Sequence, residues 1–192
     1  MGTLKKDYLL SGIKVIDAAS FIAGPSAATI MSDYGAEVIK IEPQNGDSLR
    51  NLITNGRMPE GPENYCWELT SRNKKSVSLN LKDQKAHNIL IDLIKEADVF
   101  ITNMPFPIRK KLKITSDDIR PHNAKLIYAS LTGYGEVGPD ADRTAYDSVA
   151  WWARSGLMDF VRPSNNSPVA WSTPGMGDHP TCLLYTSPSP RD

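Results

Sequence analysis

The chain has 192 residues, with 22 basic and 22 acidic side chains and a formal net charge of zero. That balance does not point to nucleic acid or an anionic membrane surface as the main partner. The N-terminal MGTLKKDYLLSG has no apolar run long enough for a signal peptide or a membrane span, and Lys6 stands where a myristoylation site wants Ser or Thr. The expectation is a soluble, cytoplasmic protein with one sizeable core.

Residues 12–42 read as strand, helix, strand. Ile13-Lys14-Val15-Ile16-Asp17 is a short β-branched run. Gly24-Pro25 opens a helix, because Pro tolerates the first turn, where its missing N–H goes unneeded. Ala27, Ala28, Ile30 and Met31 give that helix an apolar face, and Gly35 suits its left-handed C-terminal stop. Glu37–Glu42 is the next strand, and a strand–helix–strand of this length makes a parallel pair. Residues 43–72 carry Pro43, Asn45-Gly46, Gly56, Pro59 and Gly61-Pro62, and read as a long irregular connection packed through Tyr65 and Trp67. Val77–Leu81 is a third strand. His87–Glu96 is an amphipathic helix, with Ile89, Leu90, Leu93 and Ile94 at helical spacing. Val99–Ile101 is a fourth strand, Ser116–Arg120 a short capped helix, Leu126–Leu131 a fifth strand and Tyr146–Ser155 another helix. Strands alternating with helices give an α/β, doubly wound, mostly parallel Rossmann-like sheet.

Residues 182–192, Cys-Leu-Leu-Tyr-Thr-Ser-Pro-Ser-Pro-Arg-Asp, match one reading frame of a transposase-type sequencing adapter. They are set aside as an artefactual tail, which leaves residues 1–181 as an incomplete N-terminal domain. Cys66 is then the only cysteine, so neither a disulfide framework nor a Cys-based metal site is expected, and a reducing compartment fits.

Several motifs carry chemistry in principle. Gly133-Tyr134-Gly135-Glu136-Val137-Gly138 matches the dinucleotide spacing G-x-G-x-x-G. That fingerprint must open a helix whose N-terminus faces a pyrophosphate. Pro139-Asp140-Ala141-Asp142 follows instead, which is turn chemistry, so the stretch reads as a loop. The turn Ala18–Pro25 leads into a helix N-terminus, which either receives an anion or merely packs helix on strand. Arg109-Lys110-Lys111 with Lys113, and Arg72 with Lys74 and Lys75, are basic clusters near strand ends. They are either solvated faces or phosphate contacts. His87, His122 and His179 show no metal-ligand spacing, and no metal site is expected. Asp178 lies between Gly175-Met176-Gly177 and Pro180, where it is either an Asx-type turn residue or a carboxylate that a substrate can approach closely past small neighbours. Trp151, Trp152 and Trp171 are either core or the wall of an apolar pocket.

Taken in order, several stretches resemble the class III CoA-transferase family, the formyl-CoA and carnitine CoA-transferase type. They are Leu10–Asp17, Ala23-Gly24-Pro25, Tyr34–Glu42 with Gly46-Asp47, Arg72–Lys82, Ala97–Asn103, Leu126–Pro139, Tyr146-Asp147 and Gly177–Thr181. The resemblance implies that this is the large α/β domain of such an enzyme, truncated, and that coenzyme A is its co-substrate. It places a catalytic aspartate at Asp178, in a Gly-Asp-x-x-(Thr/Ser)-Gly context whose last glycine would follow Thr181, where Cys182 stands. It places CoA contacts at Ile22 and Ala23, at Leu79, Asn80, Leu81 and Lys82, at Asn103 and Met104, at Lys111, and at Thr144, Ala145, Tyr146 and Asp147. Lys82 and Lys111 would meet CoA phosphates. The chain departs from the family's Phe-x-Pro-Gly with Met104-Pro105-Phe106-Pro107, and Lys111 replaces a common Arg.

The implied reaction exchanges CoA between an acyl-CoA donor and a small carboxylic acid acceptor, through a covalent aspartyl intermediate, with backbone N–H groups near glycines stabilising the oxyanions. The family also holds racemases that move a proton α to a thioester and carry Gly-His-Asp where this chain has Ala145-Tyr146-Asp147. With a reference pKa of about 10, Tyr146 is a poor substitute for a His base. A non-catalytic nucleotide-binding module is the remaining alternative. The family's intertwined homodimer further implies that this fragment lacks surface that covers its sheet, leaving it inactive and poorly soluble.

Overall fold

The computed structural model describes residues 8–53 and 59–186. Five parallel strands form one sheet: β1 (Lys14–Asp17), β2 (Glu37–Glu42), β3 (Lys75–Ser78), β4 (Val99–Thr102) and β5 (Ile127–Ser130), in the order β3-β2-β1-β4-β5. Register is set by Val15 pairing with Val38 on one side and Val99 on the other. Parallel sheets of this kind are covered on both faces, and the strands alternate accordingly. Val15, Val38, Val99 and Ile101 point into one apolar layer with Ala28 of helix α1 (Ala23–Asp33). Ile16, Ile41 and Phe100 point into the opposite layer with Leu90 and Ile94 of helix α3 (Gln84–Lys95). The expected doubly wound α/β arrangement is therefore what the chain adopts.

The remaining helices are α2 (Tyr65–Ser71), α4 (Phe106–Leu112), α5 (Ser116–Ile119), α6 (Leu157–Phe160) and α7 (Asp178–Thr186). Several elements differ from expectation. The connection 43–72 contains a 3₁₀ turn at Ser48–Asn51 and helix α2, because Asp47 accepts from Leu49 N and Asn64 accepts from Trp67 N. These caps supply acceptors to the first orphan N–H groups of each helix; residues 54–58 lie outside the described residues. Strand β3 sits two residues earlier than Val77–Leu81, since Asn80 turns the chain by accepting from Lys82 N at 3.3 Å and Asp83 then caps α3. Helix α4 forms despite its prolines, because Pro107 falls in its first turn.

The expected helix over 146–155 is a single π-helical stretch, Ser148–Ala153, capped by Asp147. Gly133–Gly138 is a turn with no helix after it, as expected. Helix α7 runs across positions 181 and 182 without a break, and Cys182 is buried within it. No helix among the described residues is long and apolar enough to cross a membrane.

Leu90, on the buried face of α3, has no solvent exposure. Leu90→Ala is expected to lower unfolding free energy by about 2–5 kcal/mol in equilibrium denaturation. A loss below about 1 kcal/mol would place the core elsewhere.

Candidate active site

The sheet order reverses direction at β1, which pairs with β2 on one side and β4 on the other. In open α/β sheets a ligand crevice opens beyond the carboxyl ends of the two strands at such a point. A cavity of about 500 Å³ lies there, lined by the segment after β1 (Ser20–Ala23), the segment after β4 (Asn103–Phe106), and the segment Arg143–Asp147. Asp178 and Thr181 of α7 close it from the side, and α7 packs on α1.

Asn103 ties the first two strand ends together. Its Oδ1 accepts from Ser20 N at 2.9 Å, and its Nδ2 donates to Ser20 O at 2.7 Å. Phe21 turns its ring edge toward Tyr146, with centroids 6.0 Å apart. Asp147 links the third segment to the nucleophile candidate. One carboxylate oxygen accepts from Ser148 N at 2.7 Å, and the other accepts from Gly177 N at 3.2 Å, one residue before Asp178. Thr181 donates its hydroxyl to Gly177 O at 2.7 Å. Gly177 is required in this position, because an added Cβ would stand 2.8 Å from the Trp151 ring.

Asp178 is the first residue of α7. A helix N-terminus favours a negative charge, yet burial, seconded by the charge of Asp147, raises the Asp178 carboxyl to about 6. A carboxylate whose ionised form is destabilised in a cavity is a better nucleophile than a solvated one, and strongly perturbed groups in clefts mark functional sites.

Nine of the sequence-derived site residues share this cavity: Ile22, Ala23, Asn103, Met104, Thr144, Ala145, Tyr146, Asp147 and Asp178. Five do not line it. Leu79 is buried in the core beneath α3. Asn80 makes the turn after β3, Leu81 is half-buried, and Lys82 and Lys111 are exposed. The basic clusters also divide. Lys74 is buried against Asp17 at 2.8 Å, and Arg109 is buried, 2.6 Å from Glu136 and donating to the Tyr128 hydroxyl. Lys75 pairs with Glu37 in the open.

Sequence reasoning missed Ser20, Phe21, Arg143 and Thr181 as lining residues. The first two adjoin Ile22 and Ala23, so the signal was adjacent. Of the tryptophans, Trp151 lines the cavity, Trp152 is buried with its Nε1 donating to Ala170 O at 2.8 Å, and Trp171 is exposed. Among the described residues no group of three or more His, Cys, Asp or Glu side chains is placed to hold a metal ion, and no histidine lines the cavity.

Residues 10–187 match the family described as CoA-transferase family III, and the chain belongs to that family. Among its relatives, a (R)-2-hydroxy-4-methylpentanoate CoA-transferase from Clostridioides difficile is 41% identical over 89% of this chain and 43% of its own length. A cinnamoyl-CoA:phenyllactate CoA-transferase from Clostridium sporogenes is 40% identical over 89% of this chain and 42% of its own. The crystal structure of a hypothetical protein from Mycobacterium tuberculosis superposes with a TM-score of 0.83 at 30% identity, covering 93% of this chain and 48% of that one. The chain thus spans less than half the length of the curated relatives it matches.

Gly177→Ala is expected to push Trp151 out of contact and to destabilise the protein by about 1–3 kcal/mol, measured by denaturant unfolding. A neutral substitution would show that Trp151 does not seat on the backbone before Asp178.

Proposed function

We propose that the full-length protein transfers CoA from an acyl-CoA to a carboxylic acid, with Asp178 as the nucleophile. The observation that supports this best is the position of Asp178. It lies in a cavity at the sheet's switch point, tethered through Gly177 to Asp147 and flanked by an apolar wall of Phe21, Ala23 and Trp151.

In this reading the Asp178 carboxylate attacks the thioester carbonyl of the donor. The C–S bond breaks, CoA leaves as its thiolate, and a mixed anhydride remains on Asp178. The thiolate then attacks the Asp178 carbonyl and expels the donor carboxylate, leaving an aspartyl-CoA thioester. The acceptor carboxylate attacks that thioester, and the released thiolate takes up the acceptor acyl group, which returns Asp178 as a free carboxylate. Each step exchanges one carbonyl substituent for another, so no redox partner or metal is invoked. Backbone N–H groups beside Gly133 are assigned to the developing oxyanions; at the start of α7, His179 N and Thr181 N already donate to Gly175 O and Gly177 O, and residue 180 is proline.

The pantetheine arm is assigned to the wall formed by Ile22, Ala23, Asn103 and Met104, next to the segment Thr144–Asp147. Lys82 and Lys111, exposed outside the cavity, are assigned to CoA phosphates, which belong at the wet end of so long a ligand. The same family reading carries an intertwined homodimer of the full-length chain, cytoplasmic and without membrane attachment. Its partner segments would cover exposed apolar side chains such as Phe160 and Trp171. Residues 182–192 are assigned to an adapter-encoded tail. Proton abstraction by a racemase has less support, because Tyr146 occupies the place of that base and no histidine among the described residues lines the cavity.

The test uses the full-length enzyme. Asp178→Asn is expected to lower the CoA-transfer rate at least about a thousandfold, and retention of the wild-type rate would reject the nucleophile. In the wild type, kcat/KM should rise with pH as the carboxylate ionises, half-maximal near the raised value of about 6, and then level off. Asp147→Asn removes a neighbouring negative charge and should move that midpoint to lower pH. A carboxyl raised in the folded state stabilises it fully below its ordinary value of 3.8, and that contribution is lost as pH rises through about 6. Asp178→Asn should therefore raise the melting temperature at pH 8 and leave it unchanged at pH 4.

A further inference from the structure

The loop after β1 is held by side chains. Five backbone groups of Ala19, Ser20 and Phe21 bond to them: Ala19 N to Asp17, Ala19 O to Lys40, Ser20 N and O to Asn103, and Phe21 N to Asp47. Asn103 lies in the cavity. The other three partners belong to a buried cluster that nothing above assigns to function. Lys40 Nζ stands 3.0 Å from Asp47 and 3.7 Å from Asp17, and Lys74 Nζ stands 2.8 Å from Asp17. All four side chains are at most 2% exposed. Two cations and two anions balance, so the cluster adds no net charge to the interior.

Charge balance alone does not explain its presence. A buried ion pair brings little net stability, because desolvation offsets attraction and an apolar pair of like size serves as well. What an apolar pair cannot do is bond the loop. Asp47 Oδ1 accepts from both Phe21 N at 3.3 Å and Leu49 N at 2.9 Å, while Lys40 Nζ donates to Ala19 O at 2.9 Å. The loop needs holding. Phe21 has φ of 64°, in the left-handed region, which a bulky side chain occupies only where its surroundings impose it. In that conformation its ring meets Tyr146, and Ser20–Ala23 form one wall of the cavity.

We propose that Lys40 and Asp47 are positioning residues, which act through the backbone of Ala19 and Phe21 to pre-form the cavity wall that receives acyl-CoA. Glu42 supports Asp47 in turn, accepting from Asp47 N at 3.0 Å and from Arg50 at 2.7 Å. Lys74 extends the clamp to the first turn of α1 by donating to Pro25 O at 2.6 Å. A wall held in its binding shape saves the ligand the ordering it would otherwise impose. The proposal rests on the CoA-transfer reading above.

Three forms of the full-length protein test it. They are wild type, Asp47→Asn, and the paired change Lys40→Met with Asp47→Leu, which leaves Asp17 and Lys74 as a complete ion pair. Hydrogen exchange over residues 18–23 reads the clamp, and calorimetric titration with CoA reads its consequence. The paired variant loses the cap on Leu49 N but leaves no buried charge unpaired, so it should melt later than Asp47→Asn, exchange faster over 18–23 and bind CoA at least about tenfold more weakly. Asp47→Asn keeps an acceptor for Phe21 N but loses the charge facing Lys40. It should melt earlier, yet stay within about threefold of wild-type affinity. A purely structural role would give the opposite ordering, with affinity following melting temperature, and would overturn the proposal. Unchanged exchange in the paired variant would overturn it too, as would faster exchange with unchanged affinity. If wild type fails to bind CoA, the CoA-transfer reading falls, while the exchange data still decide whether the clamp exists.

Discussion

A parallel sheet covered on both faces leaves only its carboxyl-terminal edge for chemistry. Here α1 covers one face and α3 the other, so strand interiors are committed to packing. The chain leaves β1 for β2 on one side and returns to β4 on the other, and the gap between those departures is where the cavity forms. The segments that line the cavity hang from that edge: the loop after β1, Asn103 after β4, and the segment Thr144–Asp147. Helix α7 then delivers Asp178 by packing on α1. The nucleophile candidate thus comes from far along the sequence but is oriented by the first helix of the fold.

Electrostatics at this edge work in opposite directions in two places. Around Asp178, burial and Asp147 disfavour the ionised carboxyl, which suits the covalent role proposed for it. Around Glu42, burial also disfavours ionisation, but bonds from Arg50, Ser76 and Asp47 N overcome it and hold that carboxyl at about 2. The Arg50 guanidinium also lies 3.4 Å over the Trp67 ring, closing the cluster from outside. One carboxylate is left short of partners and the other is given a full set. That contrast separates the nucleophile candidate from a supporting group.

The strands β1, β2 and β4 are legible because β-branched runs bounded by Gly, Pro or Asn leave little choice, and β5 because its short apolar run ends before the turn residues Thr132 and Gly133. Helix α1 was legible from Ala27, Ala28 and the stop at Gly35. The third strand was misplaced because the alternation Val77–Leu81 continues past the residue where Asn80 bends the chain. Helix α2 was hidden because its cap, Asn64, sits among Gly61, Pro62 and Glu63, which read as turn chemistry. Of the site, Asp178 and its surroundings came from resemblance to a family; spacing alone favours an Asx turn there. The buried cluster could not be read at all. Lys40 alternates on a strand and Lys74 sits in a basic run, and both patterns ordinarily describe solvated faces. Only the fold brings Asp17, Lys40, Asp47 and Lys74 together.

Covalent attachment of CoA to Asp178 is the step on which the functional reading turns. The most direct measurement incubates full-length enzyme with an acyl-CoA in the absence of acceptor acid, quenches in acid, digests, and weighs the peptide containing Asp178. A peptide heavier by CoA less one water, with the fragmentation placing the adduct on Asp178, is the expected result. An unmodified Asp178 peptide in an enzyme that still transfers CoA at its full rate would contradict it.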